Sequence, residues 1–291
     1  MWYIFCTFVP NKNIKKTERG MIFVRDKGRL CNNILQYGHL YAWAREHGRQ
    51  TVSMRFAYKY QWFHICHTRH HHWLTYLFAK YGGKMGLLPV VSFDEPEADY
   101  HREEQQLLQR SLVIAQGWYA RWYDLFLKYK AEIVALFQFD DAVKQAPDQL
   151  LAAVPSDHLR LGMHIRRGDY RTWNNGRYYY TDEQYIEQIK RFQALHPHQS
   201  LHVFICGNDP ELNEAAFAAA LPDVTLTFAK GNPAEDLYLL SQCHWLMGPP
   251  STFTLVASMY HDVPLYWIHD AEKAFTDVDF KRFDEQFRHI V

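Results

Sequence analysis

The feature that most constrains the fold is a regular alternation of short apolar runs and helical patterns that begins at Leu159 and continues to Ile268. Leu159, Leu161, Met163 and Ile165 alternate as in a buried strand, which stops at Arg166-Arg167-Gly168-Asp169. After the polar, aromatic loop Arg171 to Tyr180 a helix starts at Thr181, where Thr181-Asp182-Glu183-Gln184 spells a capping box, and it ends near His196-Pro197. Further strands are expected at His202 to Cys206, Val224 to Phe228, Trp245 to Met247 and Leu265 to Ile268. Helices are expected from about Pro210 to Ala220, Pro233 to Gln242 and Ser251 to Tyr260. Strands and helices alternating at this spacing specify a parallel sheet covered by helices on both faces.

The first half repeats the theme less regularly. Met21 to Val24 reads as a strand, Arg25 to Arg29 as a polar turn around Gly28, and about Cys31 to His47 as a helix with Asn32 as cap and Gly48 as stop. Thr51 to Phe56 reads as the next strand. A single Gly28 is not a dinucleotide fingerprint; it says that the backbone turns tightly or approaches something closely. Helices are expected at Trp73 to Tyr81, Glu103 to Gln116 and Trp118 to Phe137, with Gly82-Gly83 and the Pro89 region as loops. Pro147 and Pro155 flank a helix-like stretch that reads as a hinge. The expectation is therefore two Rossmann-like domains, 1–155 and 156–291, with 1–20 as an extension. Met1 to Val9 is apolar and precedes Lys12, Lys15 and Lys16, the reverse of a secretory signal, and is too short to span a bilayer. It is either an added edge strand or an over-long start ahead of Met21; the organised pattern begins only at Met21, which favours the second.

Lys plus Arg equals Asp plus Glu at 32 each, so no global field draws in nucleic acid, although two or three placed donors suffice for a phosphate site. His64, Cys66, His67, His70, His71 and His72 crowd together, but consecutive histidines point in different directions and their spacing fits no zinc pattern, so no metal is expected. Contact with an acceptor, or with solvent, suits them better. Five cysteines without a CxxC pair fit reduced thiols. With no stretch of transmembrane length, a cytoplasmic protein is expected, soluble or at most peripheral to the inner membrane face.

Four strand-to-helix junctions carry polar residues: Arg166-Arg167-Gly168-Asp169, Gly207-Asn208-Asp209, Lys230-Gly231-Asn232 with Glu235-Asp236, and Gly248-Pro249-Pro250-Ser251-Thr252. Each follows the carboxyl end of its strand, so all four share the edge where open parallel sheets bind ligands. Ser251 and Thr252 open a helix and offer hydroxyls and free backbone N–H groups to an anion. Asp236 can accept from the N–H groups of a guanine base. Arg166 beside a helix N-terminus can hold a diphosphate as its leaving-group charge develops.

His164-Ile165-Arg166-Arg167-Gly168-Asp169-Tyr170 resembles the HxRRxDY motif of the α-1,2- and α-1,6-fucosyltransferase superfamily, most closely the bacterial α-1,2-fucosyltransferases of glycosyltransferase family 11. Gly28 to Asn33 with Gln36-Tyr37 resembles the family's GRLGNQxxQY. Glu235 to Tyr238 and Ser251 to Phe253 resemble its EDLYxMSxC and STFSWW stretches. The resemblance implies a GT-B-type fold, two Rossmann-like domains facing across a cleft. It also implies a GDP-fucose donor, a galactoside or other glycan acceptor and inverting α-1,2 transfer without cofactor or metal. By motif position, Arg166, His164 and Asp169 would be the catalytic set: Arg166 holds the diphosphate, His164 assists and Asp169 orients the arginines. Donor binding would fall to Gly28, Asn32, His164, Arg166, Arg167, Asp236, Ser251, Thr252 and Phe253. Cys31 replaces a usual glycine, Asn33 a common glutamine and Leu255-Val256 paired tryptophans, departures that bear on the acceptor more than on the donor. Two alternatives stay open: a transferase of the same fold using another sugar nucleotide, and a catalytically silent sugar-binding or scaffold relative. For the general base, Asp169 is a candidate and Asp26 a weaker one, because a carboxylate paired to arginine loses basicity.

Overall fold

A computed structural model describes residues 20–96, 99–207 and 209–290; the apolar segment Met1 to Val9, with Cys6, and the junction residue Asn208 lie outside them. Two parallel sheets organise the chain. The first contains β1 (Met21–Arg25), β2 (Gln50–Ser53), β3 (Val90–Ser92) and β4 (Leu112–Gln116) in the order β2-β1-β4-β3. The second contains β5 (Leu159–Ile165), β6 (Leu201–Gly207), β7 (Thr225–Phe228), β8 (Trp245–Gly248) and β9 (Leu265–Trp267) in the order β7-β6-β5-β8-β9. In each sheet the chain runs outward from a central strand and then resumes on that strand's other side. Crevices therefore open beyond the carboxyl ends of β1/β4 and β5/β8, where such a reversal leaves room for a ligand.

The helices of the second half follow the sequence closely. They are α7 (Asp182–Leu195), α8 (Glu214–Ala220), α9 (Pro233–Ser241) and α10 (Thr252–His261). Thr181 and Gln184 form both halves of the expected capping box, and Asn232 with Glu235 forms a second ahead of Pro233. Such caps satisfy amide donors that a helix start leaves unpaired.

The first half departs from expectation in several places. Helix α1 (Leu30–Glu46) has Arg29 at its N-cap position without a side-chain capping hydrogen bond, and Asn32 lies inside its first turn. Helix α2 (Trp73–Lys84) runs through Gly82 and Gly83, because a Cβ there would meet Leu88 at 2.9 Å and Ile114 at 2.5 Å; the glycines let the helix approach its neighbours. The stretch expected as one helix splits into α3 (His101–Gln109) and β4, the partner of both β1 and β3. Val90–Ser92, expected as loop, is a strand. Trp118 to Phe137 holds two helices, α4 (Tyr123–Lys128) and α5 (Lys130–Leu136), and Pro147 sits within α6 (Asp141–Ala152) rather than at its flank.

The core joins the two halves. Leu30, Ile34 and Trp43 of α1 belong to one buried apolar cluster with Leu237 and Leu239 of α9 and Leu255, Val256 and Met259 of α10. Leu255 and Val256 are fully buried in it. The final helix, α11 (Phe283–Gln286), returns to the first half, where Phe283 and Phe287 pack on Phe126. At about 25 cal/mol per Å² of apolar surface, such a continuous core holds the halves in register.

Candidate active site

Three helix starts converge on one cavity of about 330 Å³ between the sheets. Arg29, Leu30, Cys31 and Asn32 approach it from α1, Pro233 and Asp236 from α9, and Thr252 and Phe253 from α10. Unpaired N–H groups and the positive ends of the helix dipoles make this a natural anion site. The walls are tied directly, as the Thr252 hydroxyl donates to Asn32 Oδ1 at 2.6 Å. Gly28 adopts φ +90°, and a Cβ there would lie 2.8 Å from Asn32 Nδ2. It sets the turn that presents Asn32 and is not itself among the cavity-lining residues.

At the end of β5 the two arginines diverge. Arg166 lines the cavity; its Nη2 donates to Asp169 Oδ2 at 2.9 Å and its buried Nε has no partner among the described residues. Asp169 also meets Arg29 at 3.5 Å, joining β5 to the start of α1. Arg167, expected among the donor contacts, turns the other way. Its Nε donates to the Tyr180 carbonyl at 2.8 Å, its Nη1 to Asp209 at 2.9 Å and its Nη2 to Asp182 at 2.5 Å. Successive residues leaving a strand point to opposite sides, so one arginine reaches the cleft and the other braces α7 from beneath.

His164 is buried, stacks on Phe253 with ring centroids 4.8 Å apart, and is pushed down to about 3 by burial and by the nearby Arg166 charge. Its ring is therefore held in the neutral form, and among the described residues its buried Nδ1 has no hydrogen-bond partner. Ser251 caps α10, its hydroxyl accepting from the Phe253 amide at 3.1 Å. Asp236 is raised to about 7, by burial first and then by Glu235, and its buried Oδ1 lacks a partner among the described residues. A carboxylate left unpaired beside such a cavity is costly unless a ligand supplies donors.

The two base candidates separate. Burial would raise the Asp169 carboxyl, but the Arg166 hydrogen bond and charge, with Arg29, hold it below its ordinary value. Asp26 is pushed up to about 7 by burial, yet it faces the Ser53 hydroxyl at 2.9 Å and the Arg55 amide at 3.3 Å and is absent from the cavity lining. The histidine cluster also resolves into separate contacts. His71 Nε2 accepts from the Ser53 amide at 2.9 Å, His67 meets Asp140 at 2.8 Å and His72 caps α2. Among the described residues no group of three or more His, Cys, Asp or Glu is arranged to hold a metal, and the four cysteines are free and buried.

A second cavity of about 210 Å³ adjoins the first, sharing Asn32, Arg166 and Thr252. Four aromatic side chains stand beside the polar ones in its wall: Trp118 just beyond β4, Tyr170 and Trp173 after β5, and Trp267 of β9. Tyr170 stands in the motif and Trp173 in the loop read as aromatic, but no sequence signal marks Trp118 or Trp267 as lining a site, since the 16% aromatic content does not distinguish a lining ring from a core one.

Two Rossmann-like sheets whose carboxyl edges meet over an arginine and helix starts define the GT-B class of glycosyltransferase fold. Residues 101–262 match the model of Glycosyl transferase family 11, and the chain belongs to that family. It is 26% identical over 266 residues to Galactoside 2-alpha-L-fucosyltransferase Sec1 of Mus musculus, covering 83% of this chain and 64% of the relative, so it spans about two thirds of that protein's length. In fold it is similar to Arabidopsis thaliana FUT1 in complex with GDP, with a TM-score of 0.62 at 12% identity, covering 92% of this chain and 75% of the other. It is also similar to fucosyltransferase NodZ from Bradyrhizobium, with a TM-score of 0.54 at 15% identity, covering 87% of this chain and 96% of the other.

Proposed function

We infer that this protein is an inverting glycosyltransferase that moves L-fucose from GDP-fucose to a hydroxyl of a galactoside, in α-1,2 linkage. The observation that carries the reading is the joint exposure to one cavity of Arg166, Asp236 and the first turns of α1 and α10. In it, Arg166 and the Ser251–Phe253 turn bind the diphosphate, and Asp236 accepts from the guanine N–H groups. His164 supports the nucleotide with Phe253, Asn32 closes the donor site from the first half, and Asp169 orients Arg166. Transfer proceeds as negative charge grows on the departing diphosphate, which Arg166 and the helix starts stabilise. The family match and the likeness to fucosyltransferases named as GDP complexes support the donor assignment. Thermal-shift titration tests it: a ligand at a hundredfold over its Kd adds about 2.7 kcal/mol of stability, expected for GDP and not for UDP.

Asp236 gives this reading a pH signature. Guanine binds the carboxylate, whereas the free protein protonates Asp236 below about pH 7. GDP affinity should therefore hold above that pH and fall as pH drops below it, by up to roughly tenfold per unit for one linked proton. Calorimetric titration across pH 5.5 to 8.5 reads the slope, which Asp236→Asn should flatten. An affinity that rises toward low pH would contradict the contact.

The aromatic cavity is where the acceptor sugar meets the donor in this scheme, because apolar sugar faces stack on aromatic rings. Trp118→Ala should raise the acceptor KM about tenfold, equivalent to roughly 1.4 kcal/mol, near the upper end of one aromatic contact, while GDP affinity stays unchanged. Initial rates against acceptor and donor separate the two effects.

A further inference from the structure

From Glu46 to Asp94 the sequence contains no acidic residue, although the whole chain balances 32 acids against 32 bases. Arg49, Arg55, Lys59, Arg69, Lys80 and Lys84 all fall in that interval. Helix α2 lies inside it and, among the described residues, carries an apolar face that is left largely exposed, with Phe78 resting on Phe23 of β1 at 5.8 Å between ring centroids. Trp73 is 60% exposed, Leu74 65%, Phe78 53% and Tyr81 50%, and the turn beyond adds Met85 at 70% and Leu87 at 71%. At 100° per residue these helical positions share one side, and Lys80 and Lys84 fall along its edge. The face continues into a shallow groove lined by Met21, Phe23, Leu74, Phe78 and Leu112, with His70 and His72 at its margin. Scattered exposed apolar side chains are ordinary, but a contiguous set of this size marks an interaction surface.

We propose that this face of α2 docks the protein on an anionic lipid bilayer. The chemistry selects that occupant. Trp and Tyr seat at the boundary between headgroups and acyl chains, Leu, Phe and Met enter the apolar layer, and flanking lysines meet lipid phosphates. An interval without carboxylates keeps repulsion away from a negative surface. Neither Trp73 nor Leu74 lines the cavities described above, so docking and nucleotide binding are separable.

Co-sedimentation of the full chain with vesicles of phosphatidylcholine containing one third phosphatidylglycerol, against pure phosphatidylcholine vesicles, tests the proposal. Binding is expected to the anionic vesicles, at least tenfold weaker to the neutral ones and weakened by raising salt. Trp73→Ser with Leu74→Ser should abolish sedimentation, and Lys80→Glu with Lys84→Glu should reduce it about tenfold, while the thermal shift given by GDP is retained in both. Failure of the full chain to sediment, or binding that survives Trp73→Ser with Leu74→Ser, would overturn the proposal. So would a dimer, seen by sedimentation velocity, that those serines dissociate, since the face would then serve a second copy of this chain.

Discussion

Arg166→Ala should lower the proposed fucosyl transfer by roughly 10²–10³-fold in kcat/KM, equivalent to about 2.7–4 kcal/mol, as when one preorganised donor to a developing anion is removed. The guanidinium lines the proposed donor cavity, rests 4.8 Å from the Tyr170 ring centroid and carries a buried Nε without a partner among the described residues. Among the described residues it pairs with Asp169, which keeps Arg29 at 3.5 Å when Arg166 is gone. The fold should therefore survive, and a melting temperature within a few degrees of the parent would separate loss of chemistry from loss of structure. Arg166→Lys should restore little, because an ammonium cannot reproduce the bidentate fork.

Arg167→Ala should do the reverse. That side chain is buried and donates from each of its three nitrogens, two of them to the carboxylates of Asp182 and Asp209, which are themselves almost enclosed. Removing it leaves two buried negative charges without their partner, a loss of about 3–5 kcal/mol. Chemical denaturation should show that drop, with GDP affinity preserved in whatever fraction remains folded. An unchanged midpoint with lost GDP binding would return Arg167 to the donor site. The pair of adjacent substitutions thus distinguishes a side chain that holds ligand from one that holds the scaffold.

The second half of the molecule was open to sequence reading because its signals are local. Caps at Thr181, Asn232 and Ser251 mark helix starts, and alternation over Leu159 to Ile165 marks the central strand. The first half hides its centre. Leu112–Gln116 follows an amphipathic helix across Arg110-Ser111 with no glycine or proline between, so the pattern runs on as helix while pairing with β1 and β3 makes it strand. That pairing lies far off in sequence, and tertiary context outweighs propensity there. Pro147 within α6 and the glycines within α2 are likewise explained only by what packs beside them.

At the site, the motif brought Arg166, Asp169, His164, Asp236, Asn32, Thr252 and Phe253 to common walls. It gave no means of telling Arg166 from Arg167, because the distinction rests on Asp182 and Asp209, 15 and 42 residues away. The aromatic cavity was equally invisible, since Trp118, Trp173 and Trp267 come from three separate segments. His164 illustrates a different limit: its place in the motif was plain, while the burial that keeps it neutral was not.

The central claim is that the cleft takes a guanine nucleotide sugar and transfers its fucose. Incubation with GDP-fucose, GDP-mannose or UDP-galactose and a β-galactoside acceptor, with products resolved by mass spectrometry, tests it most directly. The account predicts a fucosylated product from GDP-fucose alone, falling by 10²–10³-fold in Arg166→Ala. Turnover of UDP-galactose in place of GDP-fucose, or transfer from GDP-fucose undiminished by Arg166→Ala, would contradict it.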